Sequence, residues 1–172
     1  MQFGLSEEQV LLQDNVTRFL TDNVPLERVR KYAEEGSDTD IWQGLTDLGI
    51  PALLIPEEQG GLGMTPMDAA IVAESLGYHV APSPFLGSAV IAPVALSASD
   101  NDYSELLGQI IEGKARIGIA YGEAVGNRND ANVSFNQGKI NGKSIFAFDF
   151  EANYYLVADK TKNLYLIDAD AE

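Results

Sequence analysis

Few side chains in this sequence are equipped for chemistry. Cysteine is absent and His79 is the single histidine. That excludes disulfides, thiolate metal ligands and cysteine nucleophiles, and argues against a histidine-based metal site. His79 falls where a helix should exit and reads as a surface or capping residue. Four stretches remain. "IPEEQGGLG" (55–63) sets three glycines and a proline within nine residues. A phosphate loop would need a lysine after the glycines and a strand before them. Neither is present, so the stretch reads as a turn that uses positive φ and close backbone approach. "IAYGEAVGNRND" (119–130) is a strand running into a glycine- and asparagine-rich turn. "NGKSIFAFD" (141–149) reads as an amphipathic strand, with Ile145 on one face and Phe146 and Phe148 on the other. "APSPFLGSAVIAPVAL" (81–96) is nearly all apolar and reads as a buried helix.

Six helices should position the first and last of these. Ser6 and Gln9 form a capping box, and Leu12, Val16, Phe19 and Leu20 follow at helical spacing. Pro25 opens a second helix to about Ala33. Ser37 or Asp38 caps a third, whose Ile41, Leu45 and Leu48 form one stripe ending at Gly49; Trp42 on this helix reads as core. Thr65-Pro66 opens a fourth, closing at Gly77. "LGSAVIAPVALSA" is a fifth with Pro93 inside it. "YSELLGQIIEG" is a sixth, stopping at Gly113. Beyond it the period shortens: "ARIGIAY", "NVSFN", "GKINGKSIFAFDF", "NYYLVAD" and "LYLIDA" are strand-like, with turn signals between them. The fold class is α+β, an all-α domain over 1–113 followed by an incomplete antiparallel β-sheet or barrel over 114–172. The last strand runs to the end of the sequence, so the sheet reads as unfinished.

The net charge of −15 opposes phosphate backbones and argues against nucleic-acid binding. No apolar run reaches the roughly 18 residues of a membrane span. The start "MQFGLSEEQ" lacks a signal-peptide pattern, and a reducing cytoplasm is the expected location.

"LGIPALLIPEEQGGLGMTPMDAAIVAESLG" (48–77) resembles the N-terminal part of the acyl-CoA dehydrogenase family. That family ends a helix in Leu-Gly, continues through an Ile-Pro-Glu-Glu-x-Gly-Gly-x-Gly loop, and opens a helix with an acidic residue near its end. Residues 48–63 with Glu74, Leu76 and Gly77 match. The resemblance implies FAD-dependent α,β-dehydrogenation of an acyl-CoA thioester, with an electron-transfer flavoprotein as acceptor and oligomeric assembly. The family's catalytic glutamate lies beyond its β-domain, so no catalytic residue is assigned here and the chain alone is expected to be inactive.

The resemblance also implies site residues. The segment Tyr121, Gly122, Glu123, Gly126, Asn127 and Arg128 falls where the family contacts FAD. Gly122 replaces a threonine there, and Ala124 a proline. Phe146 fits an aromatic position against the flavin ring, and Phe148 occupies a position where the family carries a hydroxyl donor. Phe85, Ser88, Ala89 and Ala92 fall on the helix that lines the acyl cavity; the small residues there suit a wide one. The departures at Gly122, Ala124 and Phe148 also suit a different reading, a non-catalytic subunit of this family that binds or stabilises a catalytic partner. A stand-alone acyl-binding module is a third reading.

Overall fold

The computed structural model describes residues 4–36, 39–122, 133–144 and 146–171. Its helices are α1 (Glu7–Asn23), α2 (Leu26–Glu35), α3 (Thr39–Asp47), α4 (Pro66–Tyr78), α5 (Ala92–Ser97) and α6 (Ser104–Ile111). The strands are β1 (Ile117–Ala120), β2 (Ser134–Asn136), β3 (Lys139–Asn141), β4 (Tyr154–Ala158) and β5 (Leu164–Asp168). Helices precede strands, and the α+β class holds.

Two helix starts are tied together. Ser6 and Gln9 make the expected capping box: the Gln9 N–H donates to Ser6 Oγ at 3.2 Å, and the Ser6 N–H to Gln9 Oε1 at 3.0 Å. A second box stands at α4, where the Thr65 N–H and hydroxyl donate to Asp68 Oδ2 at 2.8 and 2.6 Å. Gln9 Nε2 then donates to Asp68 Oδ1 at 3.0 Å, joining the boxes. Burial opposes ionisation of Asp68, but the hydrogen bonds from Thr65 and Gln9 outweigh it and lower its pKa.

Helix ends follow the sequence at three places and depart at two. Pro25 precedes α2 as its N-cap, and Gly36 ends that helix in the left-handed conformation. Gly49 (φ 78) closes the α3 turn and Gly113 (φ 69) the α6 turn. The expected caps Ser37 and Asp38 lie outside the described residues. Gly77 does not end α4, which continues to Tyr78 with His79 as C-cap. The left-handed residue is Val80 (φ 51). Hydrogen bonds from Ala81 N–H to the Leu76 carbonyl and from Val80 N–H to the Gly77 carbonyl complete the turn and repay the strain of a β-branched residue there. The fifth helix is also not α-helical throughout. A π-helical turn spans Leu86–Ile91, and α5 begins only at Ala92. Pro93 therefore stands inside a continuous helical run, as expected, directly after the wider π-helical turn.

Val16, Leu20, Leu45, Leu53, Val72 and Ala89 form the helical core, which also holds Trp42 as expected. Ile55, Leu96, Leu107, Ile110, Ile117, Ile119 and Leu156 form a second core that helices share with the sheet. Strand order is β1-β4-β5, with β2–β3 a separate antiparallel hairpin. β4 and β5 are antiparallel, as expected, whereas β1 and β4 run parallel, Ile117 opposite Tyr154. The long connection over 121–153 makes that crossover possible.

The seam between helices and sheet is a backbone-to-backbone approach. A Cβ on Gly87 would stand 2.1 Å from the Ile117 carbonyl oxygen, so only glycine fits. Beside it, buried Ser88 Oγ accepts the Ile117 N–H at 2.9 Å. The "IPEEQGGLG" turn uses the same device. Gly60 (φ 86) and Gly63 (φ 59) are left-handed, and a Cβ on Gly61 would lie 2.1 Å from the Ile55 oxygen. Gly61 N–H donates to Pro56 O and Gly63 N–H to Ile55 O, at 3.0 and 2.8 Å.

At the β4–β5 turn, Asp159 is buried. Desolvation opposes its charge, yet bonds from Thr161, Asn163 and Tyr165 prevail and hold its pKa at about 2. The Thr161 and Asn163 N–H groups donate to Oδ1 at 2.8 and 3.0 Å, and the Tyr165 hydroxyl to Oδ2 at 3.0 Å.

Two predictions follow from these contacts. Gly61→Ala and Gly87→Ala should each destabilise by about 1–3 kcal/mol or more through overpacking. Gly77→Ala, in a helix with nothing within 4 Å of the added carbon, should be neutral or stabilise by about 0.5–1 kcal/mol; urea midpoints measure all three. The folded pKa of Asp159 lies below its ordinary 3.8, so its stabilisation is complete above about pH 4 and disappears as pH falls through about 2. Asp159→Asn should flatten that acid limb in urea titrations; equal acid slopes in the two proteins would refute the assignment.

Candidate functional site

The π-helical turn, the start of β1 and the segment after Phe146 converge on one cleft of about 190 Å³. Tyr32, Ser83, Pro84, Leu86 and Gly87 line its helical side; Arg116, Phe148, Asp149 and Phe150 line the other.

The segment carrying the two expected aromatics is not a regular strand. Among its described residues after Asn141, Phe148 alone pairs, in an isolated antiparallel bridge with Ile119. The Phe148 N–H donates to the Ile119 carbonyl at 2.9 Å, and the Ile119 N–H to the Phe148 carbonyl at 3.2 Å. Phe146, Ala147 and Phe148 are all exposed, while Ile145, the expected opposite face, lies outside the described residues. The next residue explains the break. Asp149 is left-handed (φ 67), a conformation aspartate tolerates better than most residues, and a turn at 150–151 follows it.

Arg116 and Asp149 were not signalled by spacing, since 33 residues separate them. The Arg116 guanidinium donates to both Asp149 oxygens, Nε to Oδ2 at 3.0 Å and Nη2 to Oδ1 at 2.8 Å. Nη1 reaches Glu151 Oε2 at 3.1 Å. Both members of the pair are largely buried, with side chains 14% and 6% exposed. The forked geometry is the strong form of such a contact. The Glu151 N–H donates to Asp149 Oδ1 and the Tyr155 hydroxyl to the Asp149 carbonyl. Burial, then the neighbouring Asp149 charge, pushes the Tyr155 phenol up.

The other expected residues fall as follows. Tyr121 is half-buried beside the shared core, and burial pushes its phenol up. Gly122 has open space where a Cβ would stand, so nothing steric forbids a side chain there. Glu123, Gly126, Asn127 and Arg128 lie outside the described residues, as does Ile145. Phe146 and Phe148 are 56% and 58% exposed. Phe85 and Ala89 pack in the helical core, and Ala92 in the shared core. Ser88 is committed to Ile117. None of these four lines the cleft; the same turn offers it Leu86 and Gly87. His79 is a cap as expected, its Nδ1 2.9 Å from the Ser75 carbonyl and its Nε2 3.2 Å from Thr21 Oγ1. No group of three or more metal-binding side chains occurs among the described residues. No helix among them is long and apolar enough to cross a membrane.

Aromatic faces and open space are what these residues offer a planar, partly polar ligand. The exposed Phe146 and Phe148 rings can stack on such a ring system. The Phe148 N–H is engaged by Ile119, so it is not a spare donor for a ligand's polar edge.

Residues 6–114 match the family model for the acyl-CoA dehydrogenase N-terminal domain. An acyl-CoA dehydrogenase of Mycolicibacterium smegmatis, IpdE2, is 38% identical over 117 residues, 66% of this chain and 36% of that protein. The chain thus spans about a third of the length of this relative. The ChsE4–ChsE5 complex of Mycobacterium tuberculosis shares the fold at a TM-score of 0.81 and 22% identity, over 99% of this chain and 49% of that one. The FAD complex of PigA does so at 0.75 and 19%, over 99% and 50%. The chain belongs to the acyl-CoA dehydrogenase family, whose N-terminal domain it carries.

Proposed function

We propose that this chain is part of an enzyme that introduces an α,β double bond into an acyl-CoA thioester with FAD as cofactor. The family match over residues 6–114 is the observation that carries this reading. Residues 1–113 would form the helical side of the acyl site and residues 114–172 the start of the flavin side. Bound FAD would supply a hydride acceptor for the β-carbon. Phe146 and Phe148 would lie against the flavin ring. Tyr121 and Gly122 lead into the segment with Glu123, Gly126, Asn127 and Arg128, which would hold the cofactor's polar parts. Leu86 and Gly87 would meet the acyl chain, backed by Phe85, Ser88, Ala89 and Ala92.

The base that removes the α-proton has no candidate here. It would come from a further part of the protein or from a related subunit, and an electron-transfer flavoprotein would take the electrons. The resemblance of the fold to the ChsE4–ChsE5 complex keeps a second reading in view, a non-catalytic subunit that stabilises a catalytic one.

Titrating the purified protein with FAD, followed by quenching of flavin fluorescence, separates these readings. Saturable binding is expected of the enzyme. No binding, together with activity gained by a related subunit on addition of this chain, would favour the second reading. Gly122→Thr places a hydroxyl in the open space there and should tighten FAD by about 2- to 10-fold, the worth of one hydrogen bond.

A further inference from the structure

We propose that Arg116 is a positioning residue for Phe148 on the flavin side, acting through Asp149; the inference rests on the FAD reading above. Three observations carry it. First, Arg116 grips the 148–154 segment from both chain and side chain. Its N–H donates to Asn153 Oδ1 at 2.8 Å, and its carbonyl accepts the Asn153 N–H at 2.9 Å. Its guanidinium takes both Asp149 oxygens and Glu151.

Second, the residue it grips leads into the turn at 150–151. Asp149 is left-handed, and its carboxylate also accepts the Glu151 N–H at 3.1 Å. Such a conformation persists only when its surroundings over-determine it, and Arg116 supplies two of the bonds to the carboxylate that do so. Third, β1 is shaped to receive this segment. A Cβ on Gly118 would lie 2.8 Å from the Phe148 carbonyl oxygen and 2.4 Å from the Tyr155 ring. Glycine there lets Phe148 pair with Ile119 and Tyr155 reach the Asp149 carbonyl.

Phe148 immediately precedes the gripped residue, and its exposed ring lines the cleft beside Arg116. With its backbone bonded to β1 on one side and Asp149 fixed on the other, the exposed ring is anchored through its main chain. Ligand binding to a pre-positioned ring avoids the ordering that a loose one would require.

The test compares wild type with Arg116→Met, Arg116→Lys and the double variant Arg116→Met/Asp149→Asn. The double variant leaves no unpaired buried carboxylate and keeps a residue that tolerates the left-handed turn. FAD titration, amide hydrogen exchange over 146–153 and thermal melting are read together. The expected result is at least about tenfold weaker FAD binding in Arg116→Met, with faster exchange confined to 146–153. Arg116→Lys should recover part of the affinity. The double variant should melt nearer to wild type than Arg116→Met yet stay weak for FAD, which a purely structural role would not produce. Binding by wild type with unchanged affinity in the double variant would overturn the inference alone, as would unchanged exchange over 146–153. Failure of wild type to bind FAD would overturn the flavin reading and this inference with it.

Discussion

The contact between the π-helical turn and β1 is the constraint on which the remainder depends. At Gly87 a helix touches a strand with no side chain between them, and Ser88 takes the neighbouring strand's amide into its hydroxyl. That amide belongs to Ile117, which opens β1, the strand through which the π-helical turn meets the sheet. It pairs with β4 along its length and with Phe148 at Ile119. Moving the turn outward by even one methyl group would open the shared core of Ile55, Leu96, Leu107, Ile117 and Ile119, because interiors pack too densely to absorb the shift. The cleft lies over this seam, so its two walls are set by the same contact that joins helices to sheet.

The sequence made the helical part legible because its signals are local. The Ser6–Gln9 box, the left-handed glycines at 49 and 113, and the Thr65-Pro66 start each lie within a few residues of the helix end they define. The 55–63 turn was legible as a turn, but the reason for Gly61 was not. It depends on where the Ile55 carbonyl arrives after the chain doubles back. Gly77 misled because a helix end depends on which carbonyls find donors, and here Val80 and Ala81 supply them.

The sheet and the cleft were less legible for the same reason. Parallel pairing of β1 with β4 is a long-range choice that alternation along a strand does not encode. Only the resemblance gave Ser88 a role, and the partner of its hydroxyl, 29 residues away, carries no local signal. The Arg116–Asp149 pair carries no spacing signal at all.

Gln9 has a consequence for how the helical part forms and comes apart. Helix initiation is ordinarily a local and unfavourable event. Here the residue that closes the first turn of α1 also holds the carboxylate that closes the first turn of α4, 59 residues along the chain. Fraying at one start therefore loosens the other. The starts of α1 and α4 should open as one cooperative unit, and the exposed first turn of α1 shares the tenacity of the better-buried α4.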